Sequence, residues 1–284
     1  MTSRRDILHR LTAAASPLYG AEEARQIAEM IVCAKGGITR GELLTEPMRE
    51  LEIEGIDSIE ADIAAWRPVQ YIIGSAEFCG LDIAVREGVL IPRPETEELV
   101  DLVRREVRAD ARLLDVGTGS GCIAVALASM LPEAEVWGLD ISAEALAVAA
   151  ENCRRHAPCV RLVEGDALGD FASLFDCRFD AIVSNPPYIP RSDCGSMRAN
   201  VTHYEPHTAL FVDDDDPLVF YRSIAQRGRQ LLVEGGRLYF EIYEHAADEL
   251  CRMLADMNYA EVGAKTDFRG KQRIVCATMI STGR

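Results

Sequence analysis

From residue 112 onward, short apolar runs alternate with longer helical patterns, and this alternation restricts the chain to a parallel sheet covered by helices. Residues 113–116 read as the first strand and 121–131 as its crossover helix. Residues 135–139 give the second strand, followed by an alanine-rich helix over 143–155. The third and fourth strands fall at 160–163 and 179–184. A helix over 217–232, a fifth strand over 236–242 and a helix over 246–257 follow. Runs at 261–265 and 273–277 close the pattern as a hairpin, so the expected architecture is an α/β fold with a seven-stranded sheet.

The stretch before it has a different period. Residues 1–75 read as short helices with no strand signal, beginning with Ile7, Leu8 and Leu11 and continuing with Ile27, Met30 and Ile31. Gly36-Gly37 ends the second helix, 40–44 forms a third, Pro47 is expected to open another, and Ser58 to cap one over 59–66. Short alternating runs at 76–79 and 81–85, joined at Gly80, predict a hairpin linker within 76–93. Pro94 then begins a helix running to about Arg108. The expected domains are therefore a helical bundle over 1–75, the linker, and an α/β domain over 94–284. The bundle reads either as a plain extension or as a docking module for a macromolecular substrate.

Composition narrows the partners. A net charge of −16 counts against nucleic acid, which usually meets a basic face. No apolar run is long enough to span a bilayer and the N-terminus lacks a secretory apolar core, so a cytoplasmic protein with no membrane partner is expected. The nine cysteines form no Cys-x-x-Cys pair, and Pro206 separates His203 from His207, so neither a metal nor a disulfide is expected.

Two strand ends carry the ligand-binding signals. Asp115-Val116-Gly117-Thr118-Gly119-Ser120-Gly121 joins the first strand to its helix; its glycines allow a tight turn and let a ligand lie against bare peptide groups. The spacing is one residue tighter than the dinucleotide fingerprint, as suits a ligand with no pyrophosphate to seat. Asp115 suits the ammonium of a methionyl tail, and Asp140, ending the second strand, is placed to accept two ribose hydroxyls. Asp166-Ala167 ends the third strand; Asp166 either accepts from an adenine amino group or caps the turn before Leu168. Arg93, ahead of a helix, reads as a surface residue or as a partner for a cofactor carboxylate.

Asn185-Pro186-Pro187-Tyr188 follows the fourth strand, and its prolines stop that strand because neither can donate to a ladder. This clusters an amide, rigid carbonyls and an aromatic ring at a strand's C-terminal end, where ligands sit in open α/β sheets. Together with the glycine turn and the acidic strand end, it resembles the amino-methyltransferases that use S-adenosylmethionine. An amide nitrogen is a poor nucleophile because its lone pair is delocalised. Asn185 and the Pro186 carbonyl would each accept one N–H, and Tyr188 would stack on the planar group; catalysis would then be mainly positioning.

The chain resembles the release-factor glutamine methyltransferases. The matching stretches are Pro68-Val69-Gln70-Tyr71-Ile72-Ile73-Gly74, Ile91-Pro92-Arg93-Pro94-Glu95-Thr96-Glu97, Leu114 to Gly121, Val183 to Ile189, Tyr204-Glu205-Pro206 and Asp267-Phe268-Arg269-Gly270-Lys271-Gln272-Arg273. The resemblance implies methylation of the glutamine side chain in the Gly-Gly-Gln loop of class 1 release factors, with S-adenosylmethionine as donor. It implies cofactor binding by Gly117 to Gly121 and Asp140, glutamine binding by Asn185 to Tyr188, and docking by the N-terminal helices. Two departures stand out. Ala167 replaces the tryptophan or phenylalanine of many relatives, leaving Phe171 as a substitute adenine partner, and Tyr243 stands where a glycine often follows the Glu-Ile pair. An N6-adenine methyltransferase would use the same Asn-Pro-Pro-aromatic device but needs a basic groove; a non-catalytic cofactor-binding scaffold usually loses the tetrad.

Overall fold

The computed structural model describes residues 2–267 and 269–281; Phe268 of the matching 267–273 stretch lies outside them. The chain forms two compact units, Met1–Ser75 with Arg198–Tyr204, and Ala76–Met197 with Glu205–Arg284.

In the first unit, helices Arg4–Ala15, Ala21–Gly36, Arg40–Thr45, Ile56–Ala64 and Val69–Ile73 enclose a core that includes Ile7, Leu11, Ile27, Ile31 and Ile63. Ser3 caps the first helix by accepting the Asp6 N–H at 3.2 Å, and Gly37 ends the second in the left-handed region (φ 62°) that a β-carbon disfavours. Pro47 opens no helix. It sits in a turn, its carbonyl accepts the Arg5 N–H at 2.9 Å, and Glu50–Leu51 then pairs antiparallel with Thr2–Ser3. These two-residue strands are too short to leave an alternation in the sequence. Nor does Ser58 cap a helix, because the segment already starts at Ile56, after Gly55 (φ 69°). Arg198–Tyr204 is tied into this unit by an Arg198–Glu23 ion pair of 2.7 Å and by the Tyr204 hydroxyl, which donates to the Ala65 carbonyl at 2.7 Å.

The second unit opens with short strands Ser75–Phe78 and Leu81–Ala84, paired across Cys79 and Gly80, both left-handed (φ 51° and 76°) as a two-residue hairpin turn demands. Helix α1, Pro94–Glu106, follows, with proline in the first turn where its missing N–H costs nothing. The sheet strands are β1 Arg112–Val116, β2 Glu135–Asp140, β3 Arg161–Glu164, β4 Phe179–Ser184, β5 Leu232–Glu241, β6 Tyr259–Thr266 and β7 Gln272–Met279. Their order is β6-β7-β5-β4-β1-β2-β3, with β1 to β5 parallel and β7 antiparallel to both β5 and β6.

Helices α2 Cys122–Met130, α3 Ala143–His156, α4 Val219–Leu231 and α5 Ala247–Asp256 connect the strands. Leu113, Leu114, Ala181, Ile182 and Val183 are wholly buried, as strands covered on both faces require. The strand order turns back at β1 and β4, so the C-terminal ends of those two strands border the crevice where such sheets bind ligands. Among the described residues, no helix is long and apolar enough to cross a membrane.

Candidate active site

The turn leaving β1 is built on three left-handed glycines, Gly117 (φ 76°), Gly119 (φ 56°) and Gly121 (φ 79°), so only glycine fits its path without strain. The Gly117 and Thr118 N–H groups both donate to the Leu139 carbonyl, at 2.8 and 2.9 Å. The Thr118 hydroxyl donates to Asp115 Oδ2 at 2.6 Å. Asp115 is 1% exposed, and burial pushes its carboxyl up to about 7 despite the Thr118 hydrogen bond. Its Oδ1 is buried and meets no donor at bonding distance among the described residues, although the nearby Ala124 N–H also favours the charged form.

Asp140 braces this turn. Its Oδ2 accepts the Gly119 N–H at 2.8 Å and its Oδ1 the Ser142 N–H at 2.9 Å, which leaves each oxygen a second lone pair. The Gly165 N–H donates to the Asp140 carbonyl at 2.9 Å, so the end of β3 lies alongside. Asp166 Oδ1 accepts the Leu168 N–H at 2.8 Å, a turn-capping bond, and its side chain is exposed. Phe171 is 2% exposed within the hydrophobic core, so it has no free face to offer in place of the aromatic missing at Ala167.

At the end of β4, the Ser184 hydroxyl donates to the Val116 carbonyl at 2.6 Å, which brings the start of Asn185-Pro186-Pro187-Tyr188 beside the glycine turn. Asn185 Nδ2 donates to Thr96 Oγ1 at 3.3 Å, and the Thr96 hydroxyl donates to Glu241 Oε2 at 2.6 Å. The Tyr188 hydroxyl donates to the other oxygen, Glu241 Oε1, at 3.1 Å. The Tyr188 ring lies near-parallel to Tyr243, with centroids 6.3 Å apart and planes inclined by 21°. Burial raises both Tyr188 and Glu241 above their usual ranges. Beyond the motif, Ile189–Pro190 pairs in parallel with Phe211–Val212, and Tyr243 donates to Asp193 Oδ2 at 2.9 Å.

The methyltransferase small domain profile matches residues 95–202. A protein of Bacteroides thetaiotaomicron named release factor glutamine methyltransferase is 42% identical over 266 residues, covering 92% of this chain and 94% of the relative. One of the same name from Geobacter sulfurreducens is 40% identical and covers 90% of each chain. This chain belongs to the release factor glutamine methyltransferase family. Among solved structures, a methyltransferase from Pyrococcus furiosus shares the fold at 19% identity, with a TM-score of 0.55 over 71% of this chain and 90% of that one. The sheet is thus the Rossmann-like sheet of methyltransferases.

Within this family member, Arg93 is partly exposed and pairs with a buried carboxylate. Its guanidinium donates at 2.6 Å to Glu205 Oε1, while Glu205 Oε2 accepts the Ile91 N–H at 3.1 Å, so the pair fastens the entry to α1. Thr96, Glu241 and Tyr243 join the site without having been singled out for it. A lone acid inside the apolar run Leu238-Tyr239-Phe240-Glu241-Ile242 was the available signal for Glu241. Tyr243 is not inert: it neighbours the Tyr188 ring and ties down the 191–196 segment.

Proposed function

We propose that this family member transfers a methyl group from S-adenosylmethionine to the side-chain nitrogen of the glutamine in the Gly-Gly-Gln loop of class 1 release factors. The observation carrying this reading is the polarity of the Asn185 amide. Its Nδ2 is committed to Thr96, so Oδ1 remains as the acceptor at the end of β4, beside the rigid Pro186 carbonyl. A primary amide carries two N–H donors, and two acceptors on one side would hold it with its nitrogen lone pair turned the other way.

The cofactor residues fit the methionyl donor on two grounds. The left-handed glycines leave bare backbone at the β1 turn, and Asp115 Oδ1, which meets no donor at bonding distance among the described residues, offers an acceptor for an ammonium. Bound there, S-adenosylmethionine supplies an electrophilic methyl group on a sulfonium sulfur. Gly117, Thr118, Gly119, Ser120 and Gly121 would cradle its tail and Asp140 its ribose. Ile141 and Leu168, 62% and 45% exposed beside Asp140 and Asp166–Ala167, supply an apolar surface suited to adenine. Asn185 and Pro186 hold the glutamine N–H groups, and Tyr188, its hydroxyl anchored on Glu241, sets the tilt of the amide plane. Rate then comes from orientation of the reacting pair, and no strong base is required because the nitrogen becomes acidic once methylated. The bundle of residues 1–75 serves to dock the release factor.

Labelled S-adenosylmethionine offered with a release factor, its Gln-substituted variant and duplex DNA tests this reading. Label should enter the intact release factor alone. Equal labelling of the Gln-substituted variant, or labelling of DNA, would replace it.

A further inference from the structure

Glu241 ends β5 with 2% exposure, and the chemistry proposed above assigns it no part beyond anchoring a tyrosine. Its two oxygens nevertheless reach both ends of the Asn-Pro-Pro-Tyr motif, one through Thr96 and one directly. An asparagine side chain has nearly the same shape after a half-turn about its last bond, so packing alone does not choose which end is oxygen. In this site the choice decides everything. A turned amide would aim N–H donors at the N–H donors of a glutamine.

The hydrogen-bond chain makes that choice. An ionised carboxylate has no proton to give, so each neighbour of Glu241 must donate to it. Thr96 has one hydroxyl proton and spends it on Glu241 at 2.6 Å, a length typical of a charge-assisted bond. Only lone pairs are left on Thr96 Oγ1, so Asn185 must present Nδ2 to it and keep Oδ1 outward. Burial opposes the Glu241 charge, while the Thr96 and Tyr188 hydrogen bonds and the Arg273 guanidinium favour it against the nearby Glu95.

We propose that Thr96 and Glu241 are positioning residues that fix the polarity of the Asn185 amide, so that Oδ1 faces the substrate. This rests on the reading that Asn185 receives a glutamine N–H.

A double-mutant cycle in turnover, with cofactor affinity and melting temperature measured alongside, separates positioning from plain support. Thr96→Val keeps the shape and removes the hydroxyl; kcat should fall about tenfold, the worth of one neutral hydrogen bond, while the cofactor Kd stays within about twofold. Thr96→Ser should restore most of the rate. In an Asn185→Ala background Thr96→Val should cost nothing more, because its effect runs through the lost amide. Wild-type kcat in Thr96→Val, or full multiplication of the two losses in the double variant, overturns the inference. Normal turnover of Asn185→Ala would overturn the underlying reading and this inference with it, whereas impaired Asn185→Ala beside normal Thr96→Val overturns this inference alone. Should Thr96→Val not fold, Thr96→Ala removes the same hydroxyl without the added methyl and carries the same cycle.

Discussion

Thr118, in the turn after β1, and Gly138 of β2 leave no room between them for another carbon: a β-carbon on Gly138 would stand 2.8 Å from Thr118 Oγ1 and 3.1 Å from Leu162 Cδ2. Gly138 lies opposite Asp115 in the parallel register, so it clears the space in which Thr118 reaches Asp115. Gly138→Ala should displace Thr118, destabilise the fold by about 1–3 kcal/mol and weaken cofactor binding. Calorimetry giving wild-type affinity in a variant of lowered melting temperature would make the Asp115–Thr118 bond purely structural.

Asp115 gives a pH prediction. Its carboxyl is raised to about 7 by burial, so below that pH the free protein holds a proton that an incoming ammonium must expel. Cofactor affinity should therefore fall by up to about tenfold between pH 7.5 and pH 6, and Asp115→Asn should bind weakly with no such slope. The sign for stability is opposite. A folded-state value above the unfolded one gives stabilisation that is complete at acid pH and lost as pH rises through about 7. The cofactor-free Asp115→Asn variant should thus melt at or above the wild-type temperature at pH 8. A pH-independent affinity in the wild type would remove Asp115 from the ammonium site.

Asn185→Asp keeps an acceptor but breaks the hydrogen-bond chain. An aspartate oxygen would face the lone pairs of Thr96 Oγ1, whose only hydroxyl proton already lies on Glu241. Two carboxylates would then share one hydroxyl. Methyl transfer from a sulfonium also disperses positive charge, so an added anion favours the ground state over the transition state. Turnover should fall at least about tenfold. A general-base mechanism expects aspartate to match or exceed asparagine, so full activity at neutral to mildly alkaline pH refutes the acceptor-pair account.

Glu205→Ala should destabilise the protein by about 1–3 kcal/mol, chiefly by leaving the buried Ile91 N–H without a partner. Arg93 is one-third exposed and recovers water, so the loss of the ion pair adds less. Glu205→Gln, which can still accept from Ile91, should recover much of the difference in melting temperature. Equal loss in both variants would assign the stabilisation to charge.

The sheet was legible because β1, β2 and β4 are mostly buried apolar runs for which local signals suffice, while the half-buried β3 follows from the strand–helix alternation around it. Asn185 and Asp140 were legible for the same reason: a polar residue closing such a run stands out. Thr96 and Glu241 were not, because their relationship spans 145 positions and exists only after α1 and β5 are brought to the same place. The partner of Arg93 was hidden on similar grounds, since Glu205 lies 112 residues away. The Pro47 and Ser58 expectations failed differently: proline and serine signal turns as readily as helix starts, and in a small bundle packing decides between them.

The segment Arg198–Tyr204 belongs to the first unit although the whole stretch Ala76–Met197 precedes it in the chain. The N-terminal bundle therefore cannot be completed in the order in which it is synthesised. At about 5–20 residues per second, the helices of Met1–Ser75 leave the ribosome roughly 6–25 s before their last component follows. Through that interval Glu23 lacks Arg198 and the Ala65 carbonyl lacks the Tyr204 hydroxyl. The nascent bundle must persist with one side unfinished until the loop beyond the Asn-Pro-Pro-Tyr motif has been made.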